Sequence, residues 1–289
     1  MKKVLNLIAE KIIFICGIVS IIFVVLIFSF LLKEGFSFFK HFGVLKFIGG
    51  HFWYPSSDSA SFGVLPLIVG SVFVTIGACT IAVPIGVMTA LFISEIVPKY
   101  IRDILKSLVE LMAAIPSVVV GFIGMTTLVP LVKSIFNLPT GLTAFSGSIM
   151  LAFMAIPTIV TISEDAIRSV PYQYKQGALA LGATKWQTLR RIILKAAMPG
   201  IIAAIMLGIG RVMGETMAVM MITGNAAHIP HSIFEPVRTM TATIAAEMGE
   251  TVKGDMHYKS LFAIGLVLFL ITFFINFIAD LFLGKNKNT

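Results

Sequence analysis

The chain has 289 residues, of which 57% are hydrophobic and only 12% charged, against a charged share of about 25% in an ordinary soluble domain. That composition excludes a soluble globular protein and points to a polytopic membrane protein. The net charge of +8 does not indicate a nucleic-acid partner, because the basic residues are scattered over short loops and not gathered on one face.

A helix needs roughly 20 apolar residues to cross the hydrocarbon core, and six stretches qualify: residues 12–32, 64–94, 111–132, 141–163, 198–222 and 261–283. The expected fold is therefore all-α, with six transmembrane helices. Two lysines precede the first stretch, as in a signal peptide. The stretch is 21 residues long and no small-x-small cleavage site follows, so it is expected to remain as a membrane anchor. Cys16 and Cys79 lie inside apolar runs and suggest neither a disulfide framework nor a metal site. Lys and Arg outside the spans number 14 on the side of the two termini and 7 on the other. The positive-inside bias places both termini in the cytoplasm.

The first outer loop, 33–63, carries Phe36, Phe38, Phe39, Phe42, Phe47, Phe52, Trp53 and Tyr54. Such rings favour the membrane interface, and an interfacial belt is expected, with the seating of an external partner as the alternative. Pro66 and Pro84 fall in span two, Pro116 and Pro130 in span three. Breaks of this kind persist in a bilayer only where neighbouring protein or water satisfies the freed backbone, so these spans are expected to pack in a bundle. Gly210 and Gly214, four apart in span five, would let another helix approach closely.

Between spans four and five lies a polar, basic stretch at 163–200. Pro171 suits a first helical turn and Gly182 the left-handed position that ends a helix, which predicts a short helix over 171–181. Thr184 followed by Gln187 is a capping-box pattern, and Leu189, Ile192, Ile193 and Ala196 recur at helical spacing, so a second helix starts there. Two short helices meeting at a glycine make a knob, with Lys185, Arg190, Arg191 and Lys195 available to a partner. Gln176-Gly177-Ala178, three residues, Gly182, nine residues, Ile192, one residue and Leu194 resemble the EAA motif of ABC importer permeases. Gln176 replaces the motif's glutamate, Gly177 replaces an alanine, at the motif's second position, and Lys195 replaces its final proline. The resemblance implies a coupling loop at 165–196 that docks in a cleft of a cytoplasmic ATPase subunit.

The second outer loop, 223–260, holds His228, His231, Glu235, Glu247, Glu250 and Asp255. A histidine pair without a clear third ligand reads as polar surface, and no metal is expected. No HExxH helix, Walker A loop or Ser, His and Asp set is present in the spans. Neither catalysis nor a cofactor is therefore expected of this chain, and ATP chemistry is assigned to another one.

Arg211 falls near the midpoint of span five, where insertion scales charge roughly 2.5 to 3.5 kcal/mol for an arginine. Glu215, four residues on, is expected on the same helical face, where the two can pair. Two readings stay open: an ion pair that locks the bundle, or a pathway residue. In the second, Arg211 offers its planar fork to a tetrahedral oxyanion. Glu215 then holds the arginine when no substrate is present and accepts a hydrogen bond from a protonated oxyanion such as hydrogen phosphate.

Gly210-Arg211-Val212-Met213-Gly214-Glu215-Thr216-Met217-Ala218-Val219, running on to Gly224-Asn225, is similar to the signature of the PstC-type permease of phosphate ABC importers. The paired PstA-type subunit typically continues Ala-Pro-Leu after its Gly-Glu-Thr. Further matching stretches are Trp53-Tyr54-Pro55, Phe62 to Pro66, Ala114 to Val119, Arg238 to Thr241 and Ala246 to Gly249. The resemblance implies a MetI-like fold in the bacterial cytoplasmic membrane, and a pathway that includes Arg211, Glu215 and Thr216. It also implies as partners a second permease of the PstA type, two ATPase subunits and an external phosphate-binding protein. The expected layout is an anchor and outer loop at 1–63, the permease domain at 64–283 and a cytoplasmic tail at 284–289. A sulfate or molybdate permease is the first alternative. An ion-coupled secondary transporter is the second, although it lacks a second set of intramembrane carboxylates and leaves the knob unexplained.

Overall fold

A computed structural model describes residues 2–285. The elements in order are α1 (Lys2–Phe42), α2 (Val44–Gly49), the strands β1 (Trp53–Tyr54) and β2 (Ser61–Phe62), α3 (Leu65–Ile96), α4 (Lys99–Ala113), α5 (Ser117–Ile135), α6 (Ala144–Arg168), α7 (Tyr172–Ala180), α8 (Lys185–Gly214), α9 (Met217–Ile222), α10 (Met240–Glu247) and α11 (Met256–Lys285). Among the described residues six helices are long and apolar enough to span a membrane, namely α1, α3, α5, α6, α8 and α11. Of the tail expected at 284–289, residues 286–289 lie outside the described residues.

The bundle is organised around α6, the most enclosed span, which packs along α3 on one side and α8 on the other. It starts cleanly because Thr143 caps it, its side chain accepting the Ser146 N–H. Close packing in lipid depends on small residues, since burial from lipid brings no hydrophobic gain. Ile159 of α6 marks the tightest point. A Cβ at Gly86 of α3 would lie 2.8 Å from its Cγ2, and one at Gly208 of α8 would lie 2.6 Å from its Cγ1. Two helices thus clasp one side chain. A Cβ added at Gly210 or Gly214 would meet no other element within 4 Å among the described residues, so Gly208 makes the close approach that the Gly210–Gly214 spacing suggested.

Helix boundaries depart from hydropathy where local chemistry outweighs apolar content. α1 continues past residue 32 alongside α11: Phe28 packs at a tilt on Phe269 and Phe30 edge-on against Phe262, with centroids 4.8 and 5.2 Å apart, and Gly35 lets the helices meet at Ala263. Gly43, at φ 87°, ends the helix in the left-handed region open to glycine. The aromatic loop is not mainly an interfacial belt. Phe38, Phe47, Trp53 and Phe62 are buried, with Phe38 between Phe47 at 5.0 Å and Phe62 at 5.5 Å, while Phe36, Phe52 and Tyr54 remain exposed.

The third span covers Ser117–Ile135, not 111–132. Pro116 has no N–H and disfavours helical backbone at Ile115, so the preceding polar run forms the separate amphipathic helix α4. Span five also differs from its expected 198–222. The second knob helix and the span are one continuous helix, α8, which stops at Gly214. Glu215 is extended, with φ −69° and ψ 134°, and the chain resumes as α9.

The Ile159 clasp sets an expectation. Gly208→Val should overpack this junction at a cost of about 1–3 kcal/mol, read as a lower unfolding temperature of the detergent-solubilised protein. Adding Ile159→Ala should recover part of the loss. A Gly208→Val protein as stable as the parent would mean that the helices are not clasped at this point.

Candidate functional site

The break after Gly214 arranges the central residues. Arg211 lies in the last turn of α8, facing α6 and the end of α4. Its Nη1 donates to Thr158 Oγ1 at 3.0 Å and its Nη2 to the Ala113 carbonyl at 3.4 Å. Thr158 is near the middle of α6, which puts the guanidinium at mid-span.

The Arg211–Glu215 ion pair expected from four-residue spacing is not formed. With the helix ending at Gly214, the Glu215 side chain turns forward, and its Oε1 accepts the N–H groups of Met217 at 3.1 Å and Ala218 at 3.2 Å. It caps α9, as a carboxylate at a helix start should. Among the described residues no carboxylate neutralises Arg211. Its partners there are a hydroxyl and a carbonyl. Thr216 donates to the Gly214 carbonyl at 3.2 Å, tightening the break.

Behind the break, Thr241 Oγ1 donates to the Glu215 carbonyl at 2.8 Å, Ser71 Oγ accepts the Met240 N–H at 2.9 Å, and Thr239 and Thr241 share a hydroxyl contact at 3.2 Å. These groups border a small cavity of about 10 Å³. They supply the partners that freed backbone needs inside a bilayer.

The knob forms as its sequence predicts. Pro171 precedes α7, Gly182 has φ 81°, and both hydrogen bonds of the Thr184–Gln187 capping box are present. Among the motif residues Ala178 is buried, Leu194 is half-buried, and Gln176, Gly177, Gly182 and Ile192 are exposed. Tyr172, Tyr174, Leu181 and Trp186 add exposed apolar surface. Beside them runs a groove of about 570 Å³ lined by Glu95, Lys175, Leu179, Trp186 and Leu189 among others. Lys175 reaches Glu95 at the end of α3 at 2.6 Å, tying knob to bundle.

Two carboxylate hubs went unread in the sequence. Glu164 of α6 is buried and pairs with Lys106 of α4 at 2.9 Å and Arg168 at 3.3 Å. The Arg168 partner was legible at four-residue spacing. Lys106 also meets Asp165 at 2.7 Å. Hydrogen bonds to Asp165 first and Glu164 second hold the Lys106 ammonium above the ordinary lysine range, so this anchor is lost only as pH rises through that elevated value. At the end of the bundle away from the knob, Glu247 gathers Arg238 at 2.9 Å, His257 at 2.8 Å and Trp53 Nε1 at 3.1 Å. His228 pairs with Glu235 at 3.4 Å. The His231 amide, more than His228, holds the Glu235 carboxyl below its usual range. No group of three or more His, Cys, Asp or Glu with metal-holding geometry occurs among the described residues.

A six-span bundle with a helical hairpin projecting between spans and a lone mid-span guanidinium defines a membrane permease. More particularly, the chain belongs to the family of binding-protein-dependent transport system inner membrane components, whose model matches residues 82–286. It is 40% identical over 260 residues to a probable ABC transporter permease protein, YqgH, of Bacillus subtilis, covering 89% of this chain and 84% of the relative. It is 38% identical over 253 residues to the phosphate transport system permease protein PstC of Mesorhizobium japonicum, with 81% and 76% covered. The Haemophilus influenzae protein of that name is 32% identical over 269 residues, with 85% and 84% covered. In fold, the chain is similar to one in a bacterial alginate ABC transporter complexed with an alginate pentasaccharide-bound periplasmic protein, with a TM-score of 0.64, 16% identity and 93% of each chain covered. An inward-facing MetNI methionine ABC transporter gives a TM-score of 0.58 at 16% identity, covering 77% of this chain and 95% of that one.

The capping role of Glu215 is separable from its charge. Glu215→Ala should cost about 1 kcal/mol of stability, as loss of a helix cap does, whereas Glu215→Gln keeps an acceptor for Met217 and Ala218 and should unfold near the parent temperature. Equal losses in both variants would show that the carboxylate charge, not the cap, holds the break.

Proposed function

We propose that this chain is a permease subunit of an ATP-driven phosphate importer, forming half of a translocation pathway in the bacterial cytoplasmic membrane. The observation that carries this reading is Arg211, a mid-span guanidinium held, among the described residues, only by neutral acceptors. An uncompensated arginine in a low-dielectric setting is costly unless an anion visits it, and its fork fits a tetrahedral oxyanion. The relatives named as phosphate permeases support phosphate as that anion.

Arg211, Glu215 and Thr216 are the proposed pathway residues. Glu215 commits Oε1 to the α9 cap, and Oε2 has no hydrogen-bond partner among the described residues. That oxygen can accept a hydrogen bond from a protonated phosphate, which fully ionised sulfate cannot donate. The chain itself performs no covalent step. Gln176, Gly177, Ala178, Gly182, Ile192 and Leu194 form the proposed coupling surface for a cytoplasmic ATPase. The partners are a second, PstA-type permease, two ATPase subunits and an external phosphate-binding protein. Both termini lie in the cytoplasm, the side with more basic residues. The anchor and outer loop occupy 1–63, the permease domain 64–283 with coupling helices at 165–196, and the tail 284–289.

The test is uptake of labelled phosphate into vesicles holding this chain, its partner permease, the ATPase and the binding protein, with excess sulfate as competitor. Uptake should need ATP and resist sulfate. Arg211→Ala should lower it about ten- to a hundredfold, the range for losing hydrogen bonds to a charged group. Loss of uptake to sulfate would move the substrate to another oxyanion, and undiminished uptake by an assembled Arg211→Ala complex would remove Arg211 from the pathway.

A further inference from the structure

The contact between Arg211 and α4 ties the proposed anion site to the docking face. α4 ends at Ala113, and the residue three positions on, Pro116, has no N–H with which to satisfy the Ala113 carbonyl. The Arg211 guanidinium fills that gap at 3.4 Å and also holds Thr158 at 3.0 Å. A cation is well placed there, because carbonyls at a helix C-terminus carry partial negative charge. The opposite end of α4 is pinned near the knob. Arg102 donates to the Ile93 carbonyl at 2.9 Å and the Val97 carbonyl at 3.3 Å. Lys99 and Arg102 border a cavity of about 620 Å³ together with Pro171, Tyr172 and Lys175 of the knob. Midway, Lys106 grips Glu164 and Asp165. No α4 residue is buried: Leu105 and Val109 border the apolar cluster around Ile93, Val160 and Ile167, and these polar contacts complete the helix's attachment.

We propose that Thr158 and the end of α4 position and occupy Arg211 in this conformation, and that α4 is the element whose movement, set by nucleotide at the docking face, frees the guanidinium for the anion. The inference rests on the reading of Arg211 as a pathway residue. The Ala113 carbonyl and an oxyanion compete for the same N–H groups. Thr158 is a positioning residue: it fixes the ring of donors without needing to touch the anion. Displacing α7 shifts the cavity wall it shares with Lys99 and Arg102, and a helix moves as a body, so the carbonyl at its far end moves with it.

The test is the rate at which phenylglyoxal, a neutral arginine reagent, modifies Arg211 in the assembled transporter, followed by peptide mass spectrometry. Two states are compared: nucleotide-free, and ATP-bound with a hydrolysis-deficient ATPase. Arg211 should react slowly without nucleotide and at least about threefold faster with ATP, the share that one hydrogen bond of ordinary net strength holds back. Pro116→Ala supplies an N–H for the Ala113 carbonyl and should raise the nucleotide-free rate. Thr158→Val should raise it too, whereas Thr158→Ser, which keeps the hydroxyl, should not. Equal rates in the two nucleotide states of the unaltered protein overturn the proposal, whatever the variants do. Labelling needs no phosphate, so normal uptake by Arg211→Ala would remove the pathway reading and leave the nucleotide-dependent change in rate still readable.

Discussion

Inside a bilayer an unpaired backbone amide has no water to turn to, and that constraint shapes the centre of this protein. α8 stops at Gly214 in the apolar layer, which frees carbonyls behind it and N–H groups ahead of it. The chain answers with side chains: Glu215 accepts hydrogen bonds from the amides of Met217 and Ala218, and the Thr241 hydroxyl donates one to the Glu215 carbonyl. Because Glu215 is engaged in this way, it does not neutralise Arg211. The broken helix therefore has two products at once, a capped restart and a guanidinium that pairs with neutral acceptors instead of Glu215. A continuous helix through residue 215 would have brought Glu215 onto the face of Arg211, four residues back, where the two could pair.

The same logic of paired acids and bases fastens the two ends of the bundle. On the knob side, buried Glu164 joins α6 to α4 through Lys106 and keeps Arg168 as a second partner. A buried carboxylate with one partner removed becomes costly, and two cations guard against that. On the other side, Glu247 collects Trp53 from the hairpin, Arg238 from the loop before α10 and His257 from the start of α11. The aromatic cluster of Phe38, Phe47 and Phe62 packs against the same region, so the aromatic loop is an ordered cap on the bundle.

The six spans and the knob were legible because hydropathy, capping and glycine signals act over short distances. Thr184 and Gln187 are three residues apart, and Gly182 needs only its own φ. The Arg211 environment was legible only in part. Its depth followed from position along span five, but its partners Thr158 and Ala113 lie 53 and 98 residues away, beyond any periodic pattern. The expected pair with Glu215 failed because an uninterrupted helix was assumed, and the apolar run to Ile222 gave no hint of a stop. Nor could hydropathy separate α4 from α5: residues 111–115 are apolar enough to extend the span, and Pro116 is the single residue that forbids it. The outer aromatic rings were misread for a related reason, since composition cannot tell a ring facing lipid from one facing another ring.

The continuity of α8 bears on how force would reach the centre. A helix of 30 residues from Lys185 to Gly214 is about 45 Å long at 1.5 Å per residue, so the knob and Arg211 stand on one rigid element. Near its base, Leu189–Ile193 is wound as a wider π-turn, a feature that often marks functional positions and local rotation. Push on the knob alone would therefore move Arg211 along with α8 and change little about its surroundings. What alters the guanidinium is relative motion between α8 and the helices that hold it, α6 and α4. α6 is clasped to α8 through Ile159 and Gly208 and resists such motion. α4 has no buried residue, rests on the core through the half-buried Leu105 and Val109 and is otherwise held by polar contacts that can be exchanged, which makes it the softer of the two neighbours.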